Sequence, residues 1–101
     1  MKNIEILVKT IRSRKNKNKN ESYTADLLSG GVTKCIDKMQ EEFDELKEAL
    51  SDNSNIVHES ADLIYHLLVT LESANIKFED VLSELENRSK QSGVQEQNSR
   101  K

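Results

Sequence analysis

The sequence of 101 residues carries a formal net charge of -3, with 35% hydrophobic residues, 4% aromatic residues and a single cysteine. This length fits one domain, but so few large apolar side chains cannot fill a core of their own, and we expect partner subunits to complete it. The composition excludes a disulfide scaffold and a thiolate zinc site, and the short apolar runs exclude a membrane span, so we expect a cytoplasmic protein without membrane or nucleic-acid partners.

The first third of the chain predicts two short helices separated by a basic loop. Apolar residues at helical spacing predict a helix over about residues 2–14. Lys and Asn then alternate through "KNKNKNES", which predicts a mobile, solvated loop. A second short helix begins at Tyr23 and ends at a pair of glycines. Residues 2–19 hold seven basic side chains against one glutamate, a balance that suits phosphate groups.

Two longer helices are predicted at the centre of the chain. The first covers about residues 32–50, and its apolar side chains alternate spacings of three and four, the pattern of a seam against another helix. These side chains are Ile36, Met39, Phe43, Leu46 and Leu50. After "SDNSN", a helix over about residues 55–73 is apolar nearly all round, so we expect it to be buried.

The end of the chain divides into a helix and a polar tail. The segment "FEDVLSELENRSK" predicts a last amphipathic helix, and the residues after Lys90 are polar and aperiodic. We therefore assign residues 1–90 to one domain and predict that residues 91–101 form a disordered C-terminal tail.

Acidic residues occupy matching positions on the two central helices. Glu42 and Glu45 are three residues apart, and Glu59 and Asp62 repeat that spacing, which places each pair on one helix face. A carboxylate buried without a base must be protonated or bound to a cation, and Mg²⁺ prefers such oxygen ligands. If the helices pack together, the four acids predict a magnesium site. The alternative is that "EEFDELKEAL" is simply the solvated face of a surface helix.

The order of these acids resembles the signature of the MazG-like, all-α nucleotide pyrophosphohydrolases. That signature is two adjacent acids, a third acid three residues on, and then Glu-x-x-Asp; here it reads Glu41-Glu42-x-x-Glu45 and Glu59-x-x-Asp62. The segments "ESYTADLLSGG", "KMQEEFDEL", "HESADLIYHLLVTL" and "FEDVLSELENR" look, in order and spacing, like the phosphoribosyl-ATP pyrophosphohydrolases. The resemblance covers about residues 4–90.

The resemblance implies an all-α, MazG-like helical bundle completed by dimerisation, as a homodimer or a higher homo-oligomer. It also implies Mg²⁺ held by Glu42, Glu45, Glu59 and Asp62, and hydrolysis of phosphoribosyl-ATP to phosphoribosyl-AMP and pyrophosphate, the second step of histidine biosynthesis. The chain departs from the family pattern at Gln40, where Gly is usual, at Lys77, where a Ser or Thr cap is common, and in its Asn-rich loop. The first two departures concern packing and capping, whereas the third leaves the substrate contacts open.

Other charged side chains are candidates for parts of this chemistry. Glu41, beside Glu42 but off the ligand face, is a candidate for orienting or deprotonating a water molecule. Lys38 lies one turn before Glu42, where an ammonium group would meet a phosphate or simply remain a surface lysine. The remaining candidates for phosphate binding are Arg12, Arg14, Lys15, Lys17 and Lys19. We expect His58 at the surface and His66 in the core or an interface.

Two other functions remain open at this point. A house-cleaning pyrophosphohydrolase of the MazG type would share the metal site but would prefer ordinary or damaged nucleoside triphosphates. A non-enzymatic helical interaction module would use its apolar seams for assembly and its acids for solubility, and would show no tight response to Mg²⁺.

Overall fold

A computed structural model describes residues 2–90 as five α-helices, with no strand in that range. The helices are α1 (Lys2–Ser13), α2 (Tyr23–Ser29), α3 (Gly31–Asp52), α4 (Ile56–Ser73) and α5 (Phe78–Ser89). The predicted all-α class is confirmed, whereas the predicted disorder of residues 91–101 lies outside the described residues. Between residues 2 and 90, no helix is both long enough and apolar enough to cross a membrane.

Helices α3 and α4 form a hairpin through a turn of three residues. Asn53 and Asn55 in this turn both adopt the left-handed conformation, with φ of 54°. Asparagine tolerates that conformation better than most residues, so the turn reverses the chain at little cost. The hydroxyl of Thr70 donates to the backbone oxygen of Cys35 at 3.3 Å, far from the turn. The hairpin therefore places the second half of α3 beside the first half of α4.

The hydrophobic core lies between this hairpin and the three shorter helices. Its buried side chains are Val8, Ile11, Leu27, Cys35, Leu68, Val69 and Phe78. Leu27 of α2 and Val69 of α4 are fully buried, and each such side chain stabilises the fold by about 2 kcal/mol. Helices α1, α2 and α5 thus cover one side of the hairpin and hold it in place.

The opposite side of the hairpin carries exposed apolar side chains. The buried residues of α3 are Cys35, Glu42 and Ala49. The residue that follows each of them belongs to the predicted seam and is exposed to solvent. We call the exposed set the apolar face; it consists of Ile36, Phe43, Leu50, Val57, Ile64 and Leu67. Within one chain, α4 is therefore not buried all round as its sequence predicts. Of the predicted seam, Ile36, Phe43 and Leu50 are exposed, whereas Met39 and Leu46 are half-buried.

Candidate active site

Three carboxylates from the two central helices meet across the hairpin. Glu42, Glu45 and Glu59 each offer an oxygen, and these oxygens all lie within 4.8 Å of one another. Glu42 is buried, with 9% of its surface exposed, because it lies on the stripe of α3 that faces α4. Helix α4 contributes Glu59, whose side chain is 15% exposed. The structure thus brings together three of the four predicted metal ligands.

The buried carboxylate of Glu42 is not satisfied by its neighbours. Its Oε2 atom is buried and has no hydrogen-bond partner among the described residues. Burial raises the pKa of Glu42, and the negative charge of Glu45 raises it further. Burial and Glu45 likewise raise the pKa of Glu59. Because an unpaired buried carboxylate is costly, this group of acids is suited to a bound cation.

Asp62, the fourth predicted ligand, joins a neighbouring group of side chains. His58, Glu59 and Asp62 also offer ligand atoms within 4.8 Å of one another, so that Glu59 belongs to both groups. The Nε2 atom of His58 lies 3.2 Å from Oδ2 of Asp62 and 3.7 Å from Oε1 of Glu59. His58 is exposed, as predicted, but sequence analysis missed its place in the site. The available signal was its i, i+4 spacing to Asp62 on α4.

A buried histidine supports the helix that carries Glu59 and Asp62. The Nδ1 atom of His66 lies 2.8 Å from the backbone oxygen of Asp62, and Nε2 lies 3.0 Å from the phenol oxygen of Tyr23. A carbonyl oxygen only accepts hydrogen bonds, so Nδ1 carries the proton and Nε2 accepts from Tyr23. Burial raises the pKa of Tyr23, which keeps the phenol protonated as that donor. His66 thus links α2 to the site.

Glu41 and Lys38 form an ion pair at the surface beside the site. The Nζ atom of Lys38 lies 3.2 Å from Oε2 of Glu41, and this contact is the main cause that raises the pKa of Lys38. The charges of Tyr23 and Glu42 also favour the charged form of Lys38. The carboxylate of Glu41 points to solvent and lies outside the group of Glu42, Glu45 and Glu59.

Two of the predicted phosphate-binding side chains are held elsewhere. Arg12 contacts Glu72 at 3.1 Å and Glu79 at 2.6 Å, and Lys15 contacts Glu72 at 2.9 Å. Glu72 comes ten residues after Asp62 on α4, a distance of about 15 Å along the helix. Within one chain, Arg12 therefore joins α1 to α4 and α5, and Lys15 joins the segment after α1 to α4. Neither side chain forms an ion pair with Glu42, Glu45, Glu59 or Asp62.

The other three basic candidates lie between α1 and α2. Arg14 opens a short 3₁₀ helix, Arg14–Asn16, and Lys17 and Lys19 follow it as exposed side chains. None of the three forms an ion pair within residues 2–90. This segment ends where α2 begins, at Tyr23, and Tyr23 contacts His66.

An open acidic cleft of about 350 Å³ adjoins the site where α3 ends and α4 begins. It is lined by Glu45, Glu48, Ala49, Asp52, Ser54, Asn55 and Glu59. Sequence analysis did not single out Glu48 and Asp52, although both continue the helical spacing of Glu45. A polyphosphate entering such a cleft would be repelled unless cations accompanied it.

Comparison with known proteins gives a consistent set of relatives. A family model described as phosphoribosyl-ATP pyrophosphohydrolase matches residues 4–89. A phosphoribosyl-ATP pyrophosphatase of Rhizobium meliloti is 44% identical over 96 residues, covering 93% of this chain and 90% of the relative. One of Allorhizobium ampelinum is 46% identical over 82 residues, covering 79% of each chain. One of Ruegeria pomeroyi is 40% identical over 96 residues, covering 93% of this chain and 91% of the relative.

Proposed function

We propose, from its membership of the phosphoribosyl-ATP pyrophosphohydrolase family, that this chain is a Mg²⁺-dependent enzyme acting in the cytoplasm as a homodimer or higher homo-oligomer. It hydrolyses phosphoribosyl-ATP to phosphoribosyl-AMP and pyrophosphate, the second step of histidine biosynthesis. Metal-assisted cleavage of a phosphoric anhydride needs no nucleophilic side chain, and in this proposal water is the attacking group. The observation that supports the metal site is the buried, unpartnered Oε2 of Glu42 beside Glu45 and Glu59.

The residues present fit a hard divalent cation. Glu42, Glu45, Glu59 and Asp62 offer only carboxylate oxygens, which are the ligands that Mg²⁺ prefers. When bound, Mg²⁺ neutralises polyphosphate charge and lowers the pKa of a coordinated water. The role of the four carboxylates is to fix that charge at the interface of α3 and α4. His66 holds the backbone of Asp62 in place, and Tyr23 fixes the orientation of the His66 ring.

Basic side chains near the site bind the phosphate groups of the substrate. Lys38, whose charged form Tyr23 and Glu42 favour, is the candidate that meets a phosphate at the edge of the carboxylates. Arg14, Lys17 and Lys19 bind the more distant phosphates from the loop before α2. Glu41 remains the candidate that orients or deprotonates the attacking water. For that role its carboxylate must leave the ion pair with Lys38 and bind the water instead.

The apolar face supports the proposal of a dimer. Ile36, Phe43 and Leu50 repeat every seven residues on α3, and Val57 and Ile64 repeat in the same way on α4. Such stripes pack efficiently against another helix pair, and an exposed apolar surface of this kind marks an interface. Two copies of the hairpin would bury these stripes in a four-helix arrangement.

The test is a pyrophosphate-release assay that offers phosphoribosyl-ATP and the standard dNTPs in parallel, with Mg²⁺ or with EDTA. We expect release from phosphoribosyl-ATP that requires Mg²⁺ and is abolished by Glu59→Gln. Glu84→Gln removes the same charge from the exposed face of α5 and serves as the matched control. Preference for dNTPs would indicate a house-cleaning enzyme, and no release from any substrate would indicate a non-enzymatic module.

A further inference from the structure

His58 lies at the exposed edge of the carboxylate site, and the proposed hydrolysis does not use it. Its side chain is 71% exposed, and its Nε2 atom lies 3.2 Å from Oδ2 of Asp62 and 3.7 Å from Oε1 of Glu59. His58 and Asp62 are four residues apart, so they project from one face of α4. Helices present two metal ligands by the same spacing in the H-E-x-x-H motif of zinc enzymes. Here the sequence reads His58-Glu59-x-x-Asp62.

The distances within this group suit a bound metal ion. Two ligand atoms that each lie about 2.1 Å from a zinc ion are about 3.0 Å apart at a right angle and about 3.4 Å apart at the tetrahedral angle. The separations from His58 Nε2 to the two carboxylate oxygens, 3.2 Å and 3.7 Å, are close to these values. These separations, and the limit of 4.8 Å on all distances among the three ligand atoms, are compatible with a cation between them.

The adjoining buried group gives a further reason to expect a cation at this end of the hairpin. The Oε2 atom of Glu42 is buried without a partner, and the group of Glu42, Glu45 and Glu59 shares Glu59 with the group of His58. The group of Glu42, Glu45 and Glu59 would be stabilised by a bound cation and offers only oxygen ligands. The second group adds an imidazole nitrogen, a ligand that suits Zn²⁺ far better than Mg²⁺.

We infer that His58, together with Glu59 and Asp62, forms a cation position that takes Zn²⁺ and shares these two carboxylates with the all-oxygen position for Mg²⁺. This inference rests on the proposed function only through the shared carboxylates, and it does not require that the chain hydrolyse phosphoribosyl-ATP. The competing explanation is that His58 merely forms a hydrogen bond or ion pair with Asp62, without binding a metal.

The first test follows the histidine rings directly in the chain without an affinity tag. The sequence contains two histidines, and the second, His66, is bound to Tyr23 and to the Asp62 backbone. In ¹⁵N-NMR spectra of the imidazoles, titration with Zn²⁺ should produce the large shift of a coordinated Nε2 at His58. The Nε2 of His66 should retain the shift of a nitrogen that accepts a hydrogen bond. Coordination at neither ring, or at His66 alone, would overturn the inference.

The second test measures affinity by competition with a chromophoric chelator. His58→Gln keeps a group that can donate a hydrogen bond to Asp62 but removes the nitrogen ligand, and it should weaken Zn²⁺ binding by about tenfold or more. Affinity for Mg²⁺ should change by less than about twofold, because Mg²⁺ uses the oxygen ligands. Glu48→Gln removes a charge from the adjoining cleft outside both groups and serves as the matched control.

Two results of this second test would contradict this zinc position. Unchanged Zn²⁺ affinity in His58→Gln would show that His58 is only a partner of Asp62. An equal loss of Zn²⁺ and Mg²⁺ affinity would show that His58 supports the carboxylates as a whole. Neither measurement uses phosphoribosyl-ATP, so failure of the proposed enzymatic activity would be seen separately, in the pyrophosphate-release assay.

Discussion

The phenol oxygen of Tyr23 lies 3.0 Å from the Nε2 atom of His66. The other nitrogen of the same ring donates to the backbone oxygen of Asp62 at 2.8 Å. One imidazole thus connects α2, which follows the basic loop, with the turn of α4 that carries two of the proposed metal ligands. We expect a change at Tyr23 to be felt at the metal site, although Tyr23 is not itself a ligand.

Tyr23→Phe tests this connection. The variant removes one hydrogen bond, which should lower the free energy of unfolding by about 1 kcal/mol. It should also raise the Mg²⁺ concentration needed for half-maximal activity, because the His66 ring loses the contact that orients it. Tyr65→Phe removes the hydrogen bond between Tyr65 and Thr24, which joins the same two helices, but keeps the ring that packs edge-on against His66. That control should lose stability without a change in the Mg²⁺ requirement; equal effects in both variants would contradict a positioning role for Tyr23.

Glu42→Gln should stabilise the metal-free chain while abolishing activity. The substitution removes a buried charge that has no partner, so in EDTA we expect a gain of about 1 kcal/mol. For a chain of this size, that gain corresponds to a rise in Tm of about 4–8 °C. Addition of Mg²⁺ should raise the Tm of the wild type but not that of the variant. Thermal unfolding with and without EDTA measures both effects, and a lower Tm of the metal-free variant would argue against the buried charge.

The same carboxylate gives the metal-free chain a particular pH dependence. The pKa of Glu42 in the folded chain is raised above its usual value of 4.5. Between pH 4.5 and that raised pKa, the folded chain therefore binds more protons than the unfolded chain. Stability in EDTA should therefore fall with rising pH above 4.5, until Glu42 is ionised in the folded state. The slope should be smaller in Glu42→Gln, as measured by unfolding at a series of pH values.

The exposed lysines of the basic loop should act by charge alone. Replacing Lys17 and Lys19 together by Gln should raise KM for phosphoribosyl-ATP and flatten the salt dependence of kcat/KM, with a much smaller change in kcat. The reason is that charge that attracts substrate and transition state alike contributes uniform binding, screened over about 10 Å at 0.1 M salt. The matched control replaces the exposed Lys2 and Lys9 of α1. A loss of kcat at constant KM would instead show that these lysines stabilise the transition state more than the bound substrate.

Ile64→Lys should separate the proposed dimer. Ile64 lies on the apolar face with 46% of its surface exposed, and a charge there would be buried if two hairpins packed together. Ile76→Lys is the matched control, since Ile76 is 47% exposed but lies in the turn after α4. Sedimentation velocity at micromolar concentration should show a dimer for the wild type and the control, and a monomer for Ile64→Lys. A wild-type monomer with full activity would refute the assembly.

Glu79→Gln should lower stability above pH 4.5 and make part of its loss in acid disappear. The guanidinium of Arg12 lowers the pKa of Glu79 from 4.5 to about 2, so the unfolded chain binds more protons than the folded chain between these values. The stability that this pair provides is present above pH 4.5 and is lost as the pH falls toward 2. Glu79→Gln should remove that part of the acid transition. The matched control is Glu84→Gln, because the Glu84 carboxylate accepts only one long contact, of 3.4 Å, from Arg88. This variant should keep most of the acid transition.

The sequence by itself determined where the helices lie and which acids pair along them. Helical periodicity and the residues that end helices are local properties, so α2 stops before a glycine pair and the turn after α3 uses Asn53 and Asn55. The spacing of Glu42 to Glu45 and of Glu59 to Asp62 is likewise fixed by one turn of helix. No tertiary contact was needed to predict either feature.

The tertiary structure decided which faces of these helices meet. Neighbouring residues on a helix differ by about 100° in direction, so Cys35 is buried while Ile36 is exposed to solvent. The apolar spacing alone did not show which of these faces would be buried. The tertiary structure also decided that Arg12 binds Glu72 and Glu79, which lie 60 and 67 residues away in the sequence. A charged side chain pairs with whatever opposite charge the fold brings within reach, and that proximity depends on the packing of α1, α4 and α5 against one another.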